Sequence, residues 1–180
     1  MTISGPAIAR LALLGLVTSI LQLTAASQVS IFGVPMDLSP LIVASVGFLC
    51  GSVPGSVFGF CFGLFADTAL MQTLGVTSLV LTAVGYGAGR VRELRDPAHG
   101  LAPVAVGAAA TAVAALGITL LQFLLGVEAP VSAQVVRQIL MTIVLNTLLA
   151  LPVYAVCRRV LLPFLPDDPR RSRPRSARAR

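Results

Sequence analysis

The chain has 180 residues, of which 11% are charged and 56% are apolar, and its mean hydropathy is +0.92. A soluble domain carries about a quarter charged residues. The composition therefore excludes an ordinary soluble globular domain and indicates a single domain embedded in a lipid bilayer.

The positive charge is concentrated at the C-terminus. Residues 158–180 account for the whole formal net charge of +6. Residues 166–180 have no aromatic side chain that could stack on a base, so nucleic-acid binding is not expected. We expect residues 161–180 to form a disordered, basic, cytoplasmic tail. Arginines here and at the end of the last span would either anchor that span beside anionic lipid or bind a protein. The arginines concerned are Arg158, Arg159, Arg170 and Arg171.

The apolar stretches predict an all-α bundle of about six transmembrane helices, because a helix of about 20 apolar residues crosses the hydrocarbon core. The predicted spans are about 7–26, 38–52, 54–71, 75–89, 101–125 and 138–157, within a membrane domain of residues 1–160. The first span could be mistaken for a signal peptide, since Thr24-Ala25-Ala26 resembles a cleavage site. The polytopic remainder of the chain favours an uncleaved span.

Hydropathy alone does not separate the second span from the third. Residues 38–66 carry no charge and are too long for one upright span. Pro54 disfavours helix at the residue before it and is well suited to the first turn of a new helix. We therefore predict two shortened helices joined by a tight turn. Six spans place Arg10, the arginines of residues 90–95 and the tail on one side, the cytoplasm, as the positive-inside rule requires.

Glycines recur every fourth residue from Gly47 to Gly63. Small residues at this spacing let helix backbones approach closely in lipid. The stripe packs either within the chain, which we favour, or against a helix of a partner. The phenylalanines at 58, 62 and 65 lie on another face and are expected to meet lipid or a partner. The candidate interface residues are Gly51, Gly55, Gly59, Gly63 and Asp67, the last of which continues the same spacing.

Three polar residues of the spans have specific expected roles. Asp67 is either a carboxylate at a helix end near headgroup water or a buried contact inside the bundle, because an unpaired ion in the membrane is costly. Asp37 can serve as the N-cap of the second span. Asn146 can hydrogen-bond across helices.

The sequence offers no set of residues typical of catalysis. It has no Ser-His-Asp arrangement, no P-loop and no paired-carboxylate motif. Its three cysteines show no CxxC spacing and are interpreted as small buried hydrophobes. We expect no enzyme activity, no cofactor and no metal site.

Residues 35–93 contain a motif run that resembles the MreD family of bacterial rod-shape-determining membrane proteins. The run has glycines at 55, 59 and 63, followed by an aspartate at 67 and a second glycine-rich part from residue 74 to residue 89. At the start of the second span the family pattern has Pro-Asp-Leu, whereas Met36 here separates Pro35 from Asp37. The matching residues outside the glycine stripe are Asp37, Phe60, Leu64, Gly75, Gly85 and Tyr86.

The resemblance implies a non-enzymatic membrane scaffold of the cell-elongation (rod) complex, supporting lateral peptidoglycan synthesis and cell shape. It implies a multi-pass protein of the bacterial cytoplasmic (inner) membrane with both termini in the cytoplasm. The implied partners are MreC first, then MreB, RodA and a penicillin-binding transpeptidase, together with membrane lipids.

The family's fold is similar to that of the substrate-binding subunits of energy-coupling-factor transporters. This similarity supplies the alternative function, a substrate-binding membrane subunit of a vitamin-type transporter. Such a subunit needs convergent polar groups around its ligand. The spans offer few candidates: Asp67, Gln72, Gln122 and Asn146.

Overall fold

The structure, a computed structural model, describes residues 11–20 apart from 12 and 19, together with residues 30–31, 34–35, 37–94, 102–126 and 133–161. The described part of the chain is helical except for a two-stranded antiparallel ladder and short turns, which confirms the all-α class. The tail beyond residue 161, with Arg170 and Arg171, lies outside the described residues. The elements are α1 (residues 11–20), β1 (Ser30–Ile31), β2 (Val34–Pro35), α2 (Ser39–Cys50), α3 (Ser52–Ala69), α4 (Val76–Leu94), α5 (Ala102–Leu124) and α6 (Ala133–Leu161).

The break between α2 and α3 is a single residue, Gly51. Its φ of +105° is a backbone conformation that residues other than glycine rarely adopt, so a glycine is required there. The predicted break lay nearer Pro54, which instead occupies the first turn of α3, where its missing amide costs nothing. The two helices reverse direction at Gly51: a Cβ on Gly55 would lie 2.5 Å from the Cα of Gly47.

Two helices are longer than their predicted spans. The charged segment from Arg90 to Leu94, which lies beyond the predicted end of the span at residue 89, continues α4. Its side chains bind the ends of α2 and α3, as described below, and these contacts explain why it stays helical. The last helix, α6, also runs unbroken through Asn146 and Pro152. Within the described ranges, two helical segments, Ala102–Leu124 and Ile139–Leu161, are long and apolar enough to cross a membrane.

Helix α2 forms the centre of the bundle. All of its residues from Ser39 to Leu49 are buried, and α3, α4, α5 and α6 contact it. The first helix covers α3 instead, because Gly15 of α1 lies against the ring of Phe58. Phe58 and Phe62 are both buried, so the expectation that they meet lipid or a partner was wrong. Phe65 does lie on the exposed side of α3.

Candidate functional site

The glycine stripe lies on the buried face of α3, opposite α4. A Cβ on Gly59 would overlap the carbonyl of Leu81, and one on Gly63 would overlap the backbone of Ser78. A Cβ on Gly55 would lie 2.6 Å from the carbonyl oxygen of Gly85. At each of these positions the neighbouring atoms belong to the backbone of the facing helix. A backbone cannot move aside by a rotamer change, so a side chain larger than hydrogen would not fit.

Helix α4 presents glycines of its own to the same interface. A side chain on Gly85 would overlap the carbonyl of Gly55, and one on Gly89 would overlap the backbone of Ser52. The contacts pair the end of α3 with the start of α4, and the start of α3 with the end of α4, as in an antiparallel hairpin. The face that a partner helix would need is therefore occupied by α4 of the same chain.

The side chain of Asp67 caps the N-terminus of α4. It is 1% exposed, and its Oδ2 accepts hydrogen bonds from the amides of Gly75, at 2.8 Å, and Ser78, at 3.5 Å. Its backbone carbonyl accepts the amide of Gln72 at 3.0 Å, which tightens the turn between the helices. A carboxylate stabilises the free amides of a helix N-terminus. Within the described part of the chain Oδ1 of Asp67 has no hydrogen-bond partner.

The side chain of Glu93 caps the N-terminus of α3, at the other end of the hairpin. Its Oε1 accepts the amide of Ser52 at 3.0 Å and the Ser52 hydroxyl at 2.7 Å, at the first residue of α3. The two hydrogen bonds from Ser52, and then the guanidinium of Arg90 at 3.2 Å from Oε2, lower the pKa of Glu93. Each helix of the hairpin therefore receives its N-terminal carboxylate from the other.

Arg92 binds the end of α2. Its Nη1 donates to the carbonyl of Leu49, in the last turn of that helix. A cation at a helix C-terminus complements the carbonyls that have no partner inside the helix. Arg92 and Glu93 thus hold both sides of the break at Gly51.

A second polar cluster joins α2, α5 and α6. The Nδ2 of Asn146 donates to the carbonyl of Asp37 at 2.8 Å and to the hydroxyl of Thr111 at 3.2 Å. Oδ1 of Asp37 accepts the amide of Ser39, the first residue of α2, at 3.0 Å. The N-cap position itself is occupied by Leu38, one residue after the predicted Asp37. Asn146 is 1% exposed, and among the described residues its Oδ1 has no partner.

The other motif residues point away from this interface. Phe60 and Leu64 on α3 and Tyr86 on α4 are 51%, 41% and 48% exposed. Arg158 and Arg159 are exposed at the end of α6. Among the residues that the structure describes, no group of three His, Cys, Asp or Glu side chains could hold a metal ion.

Sequence reasoning missed Ser52, Arg92 and Glu93. A signal for Glu93 was present, because it continues the series Gly85, Gly89 by four residues, as Asp67 continues the series on α3. For Ser52 and Arg92 no spacing rule was available, since both act at a break whose position was misplaced.

The apolar composition, the helical bundle and two helices of membrane-spanning length define the class as a helical membrane protein. The sequence model of the rod shape-determining protein MreD matches residues 7–160, so the chain belongs to the MreD family. It is therefore a rod-shape-determining membrane protein, from a family that is part of the Mre rod-shape complex. Neither a curated protein nor a solved structure matches the chain.

Proposed function

We propose that the chain is a non-enzymatic scaffold of the rod complex that supports lateral peptidoglycan synthesis by helix contacts with partner membrane proteins. MreC is the first partner, and MreB, RodA and a penicillin-binding transpeptidase belong to the same assembly. The observation that carries this proposal is the difference between the inner and outer faces of the α3–α4 hairpin. Its inner face is filled by backbone contacts, while large side chains stand on its outer face.

The outer face of the hairpin is the proposed partner surface. Phe60 and Leu64 stand on α3 and Tyr86 on α4, and none of them is needed to hold the two helices together. Aromatic and large apolar side chains dominate the energetics of interfaces. A rigid hairpin presents them without further loss of backbone freedom on binding.

Alanine variants of the outer face test this proposal. Tyr86→Ala and Phe60→Ala should leave protein accumulation unchanged and reduce co-purification of MreC and the restoration of rod shape in cells that lack the chain. Phe123→Ala is the control, because Phe123 is an exposed aromatic residue on α5, away from the hairpin, with an exposed fraction of 62%. Unchanged MreC recovery with both hairpin variants would contradict the proposal, as would equal loss with Phe123→Ala.

We further propose six spans with both termini in the cytoplasm of the bacterial inner membrane. The structure supports this through contacts at one end of the bundle. Arg92 binds the carbonyl of Leu49, and the ring of the preceding residue, Phe48, packs against that of Tyr154, one helical turn before Arg158. The basic ends of α4 and α6 therefore lie at the same end of the bundle, in agreement with the positive-inside rule. Reporters fused after Arg95 and after Arg180 should be cytoplasmic, and reporters near Ser30 and Pro130 should be outside. An external reporter after Arg95 would rule out six spans.

The transporter alternative has less support. The family comparison does not favour it, and the depression that Ala44, Phe48, Val106 and Tyr154 line between α2, α5 and α6 has no room for even a water molecule. Pockets for small molecules occupy about 300–1,000 Å³. A vitamin retained by the purified chain would favour the transporter.

A further inference from the structure

The turn between α3 and α4 is apolar, although it lies at one end of the bundle. Residues 70–75 of this turn are called the hairpin tip below. No charged residue lies between Asp67 and Arg90. Turns that stand in water are usually polar, and clustered exposed apolar side chains mark a contact surface. The tip exposes three large apolar side chains: Leu70 at 47%, Met71 at 95% and Leu74 at 65%.

Met71 has a backbone conformation that its side chain disfavours. Its φ is +50°, a left-handed conformation in which a helix usually ends with glycine. The amides of Met71 and Gln72 hold it there, because they donate to the carbonyls of Thr68, at 3.4 Å, and Asp67, at 3.0 Å. The exposed Met71 side chain gains little from packing on its own chain. A strained residue with an exposed apolar side chain indicates a contact outside the chain.

The backbone of the tip is largely satisfied by the chain itself. In addition to the two amides above, the amide of Leu70 donates to the carbonyl of Ala66 at 3.0 Å, and the amide of Gly75 donates to the buried carboxylate of Asp67. Hydrocarbon holds no water that could replace a missing partner, so backbone groups there must be paired internally. The internal pairing of the tip therefore suits a position inside the bilayer.

The hairpin is short for a membrane crossing. Helix α3 has 18 residues and rises about 27 Å, and α4 rises about 26 Å from Glu93 to Val76. The hydrocarbon core is about 30 Å thick. Arg90 and Glu93 form an exposed ion pair at the other end of the hairpin, and these charges belong among headgroups or in water. Measured from that end, the hairpin does not carry its tip out of the opposite side of the hydrocarbon core.

We propose that the hairpin tip binds acyl chains at the outer edge of the hydrocarbon core instead of standing in water. Leu70, Met71 and Leu74 contact the acyl chains, and the side chains of Gln72 and Thr73 lie at the level of the headgroups. The bilayer thins locally to match the short hairpin. This inference rests on the proposal above that the hairpin crosses the bilayer, and it does not depend on the contact with MreC.

A tryptophan placed in the tip reports its surroundings directly, because the chain contains none. The purified full-length chain with Leu74→Trp is placed in phosphatidylcholine nanodiscs, both faces of which are open to water. Lipids brominated on the acyl chain near the headgroup should quench its fluorescence strongly, and aqueous acrylamide should quench it weakly. Leu94→Trp is the matched control, because Leu94 is an exposed leucine at the charged end of α4. Acrylamide quenching of Leu74→Trp equal to that of Leu94→Trp would overturn the proposal.

Phe65→Trp separates a failure of this inference from a failure of the six-span proposal. Phe65 is 45% exposed on α3, before the tip, and a tryptophan there should be quenched by brominated lipid. Acrylamide quenching of Leu74→Trp alone would contradict only the position of the tip. Acrylamide quenching of both variants would show that the hairpin does not cross the bilayer, which would overturn both proposals.

A charge at Met71 tests the same contact in cell membranes. Met71→Asp should lower the amount of folded protein in the membrane, because a charged side chain is costly at the edge of the hydrocarbon. Aspartate adopts a positive φ more readily than methionine, so the loss would come from the charge and not from the backbone. Met71→Leu keeps an apolar side chain and should accumulate normally, as should Leu94→Asp at the charged end. Normal accumulation of Met71→Asp would overturn the proposal.

A photoreactive side chain at Leu74 distinguishes lipid from protein as the contact in living cells. It should label phospholipid in the presence and in the absence of MreC. Capture of a protein from this position, with no labelled phospholipid, would overturn the assignment to acyl chains.

Discussion

Helices α2, α3 and α4 are held together by backbone contacts, whereas α5 and α6 meet the bundle mainly through side chains. In α2 eleven of the twelve residues, Ser39–Leu49, are buried. In α5 only Gly107, Ala110, Thr111 and Ala114 of 23 residues are buried. The difference separates a self-contained unit of three helices from two helices that cover one side of it.

The comparison shows what holds neighbouring helices together in a bilayer. Apolar burial gives little advantage between helices in lipid, so close packing and hydrogen bonds must hold them together. In α3 and α4 the glycines supply the close packing, and Asp67 and Glu93 supply hydrogen bonds at opposite ends. Between α5 and α6 a buried hydrogen bond of this kind runs from Asn146 to Thr111.

The largest effect is expected where backbones touch. Gly59→Leu places an isobutyl group against the carbonyl of Leu81. Overpacking typically destabilises a protein by about 1–3 kcal/mol, and the loss of stability here should be larger, because the obstructing atoms belong to the backbone. The variant should fail to accumulate in membranes. Gly87→Leu is the control on α4, since a Cβ there meets nothing within 4 Å. Normal accumulation of Gly59→Leu with loss of MreC would instead mean that the stripe contacts a partner.

The carboxylate of Asp67 should matter as an acceptor more than as a charge. Asp67→Leu leaves the amides of Gly75 and Ser78 without this acceptor, at about 1–3 kcal/mol for each buried group. Asp67→Asn keeps one acceptor oxygen and should cost less. Thermal unfolding in detergent should rank wild type, Asn and Leu in that order. Equal losses in the two variants would show that the negative charge itself is required.

The Glu93 cap should be sensitive to acid. Because its pKa is lowered in the folded chain, its contribution to stability is present above the pKa of the unfolded state and is lost as the pH falls through the folded pKa. The melting temperatures of wild type and Glu93→Gln should differ most near neutral pH. The difference between the two melting temperatures should narrow below about pH 4.3, the ordinary pKa of a glutamate side chain. A difference that stays constant on acidification would contradict the assignment. Ser52→Ala, which keeps the amide donor, should show a smaller effect of the same sign.

The smallest effect is expected from the tail. Deleting Asp167–Arg180 leaves Arg158 and Arg159 to anchor α6, so accumulation and MreC co-purification should be close to those of the full chain. Quantitative immunoblotting of membranes and of the MreC pull-down measures both. A substantial loss of MreC would assign a binding role to the tail arginines.

Local spacing predicted much of the three-helix unit. The step of four residues identified the glycine face and its continuation to Asp67, and Pro54 indicated a new helix nearby. The same reasoning failed where a distant element decides the outcome. Phe58 and Phe62 lie on a face that Gly15 of α1 covers, and no periodicity within α3 reports that contact.

Helix ends were harder to predict than helix faces. The charges from Arg90 to Leu94 are typical of a loop, yet Arg92 and Glu93 find partners on Leu49 and Ser52, more than forty residues earlier in the chain. Such long-range capping offsets the cost of extending α4 beyond its apolar part. Its partners become visible only when the packing of α2, α3 and α4 is known.

Photo-crosslinking at Phe60 and Phe62 in living cells tests the central claim most directly. The claim is that the inner faces of α3 pack against helices of the same chain, and that its outer face contacts partner proteins. Both residues are phenylalanines on α3, but Phe60 is 51% exposed and Phe62 is 5% exposed. A photoreactive phenylalanine should capture MreC from position 60 and only this chain's own α1 from position 62. Capture of MreC from position 62 and not from position 60 would contradict the account.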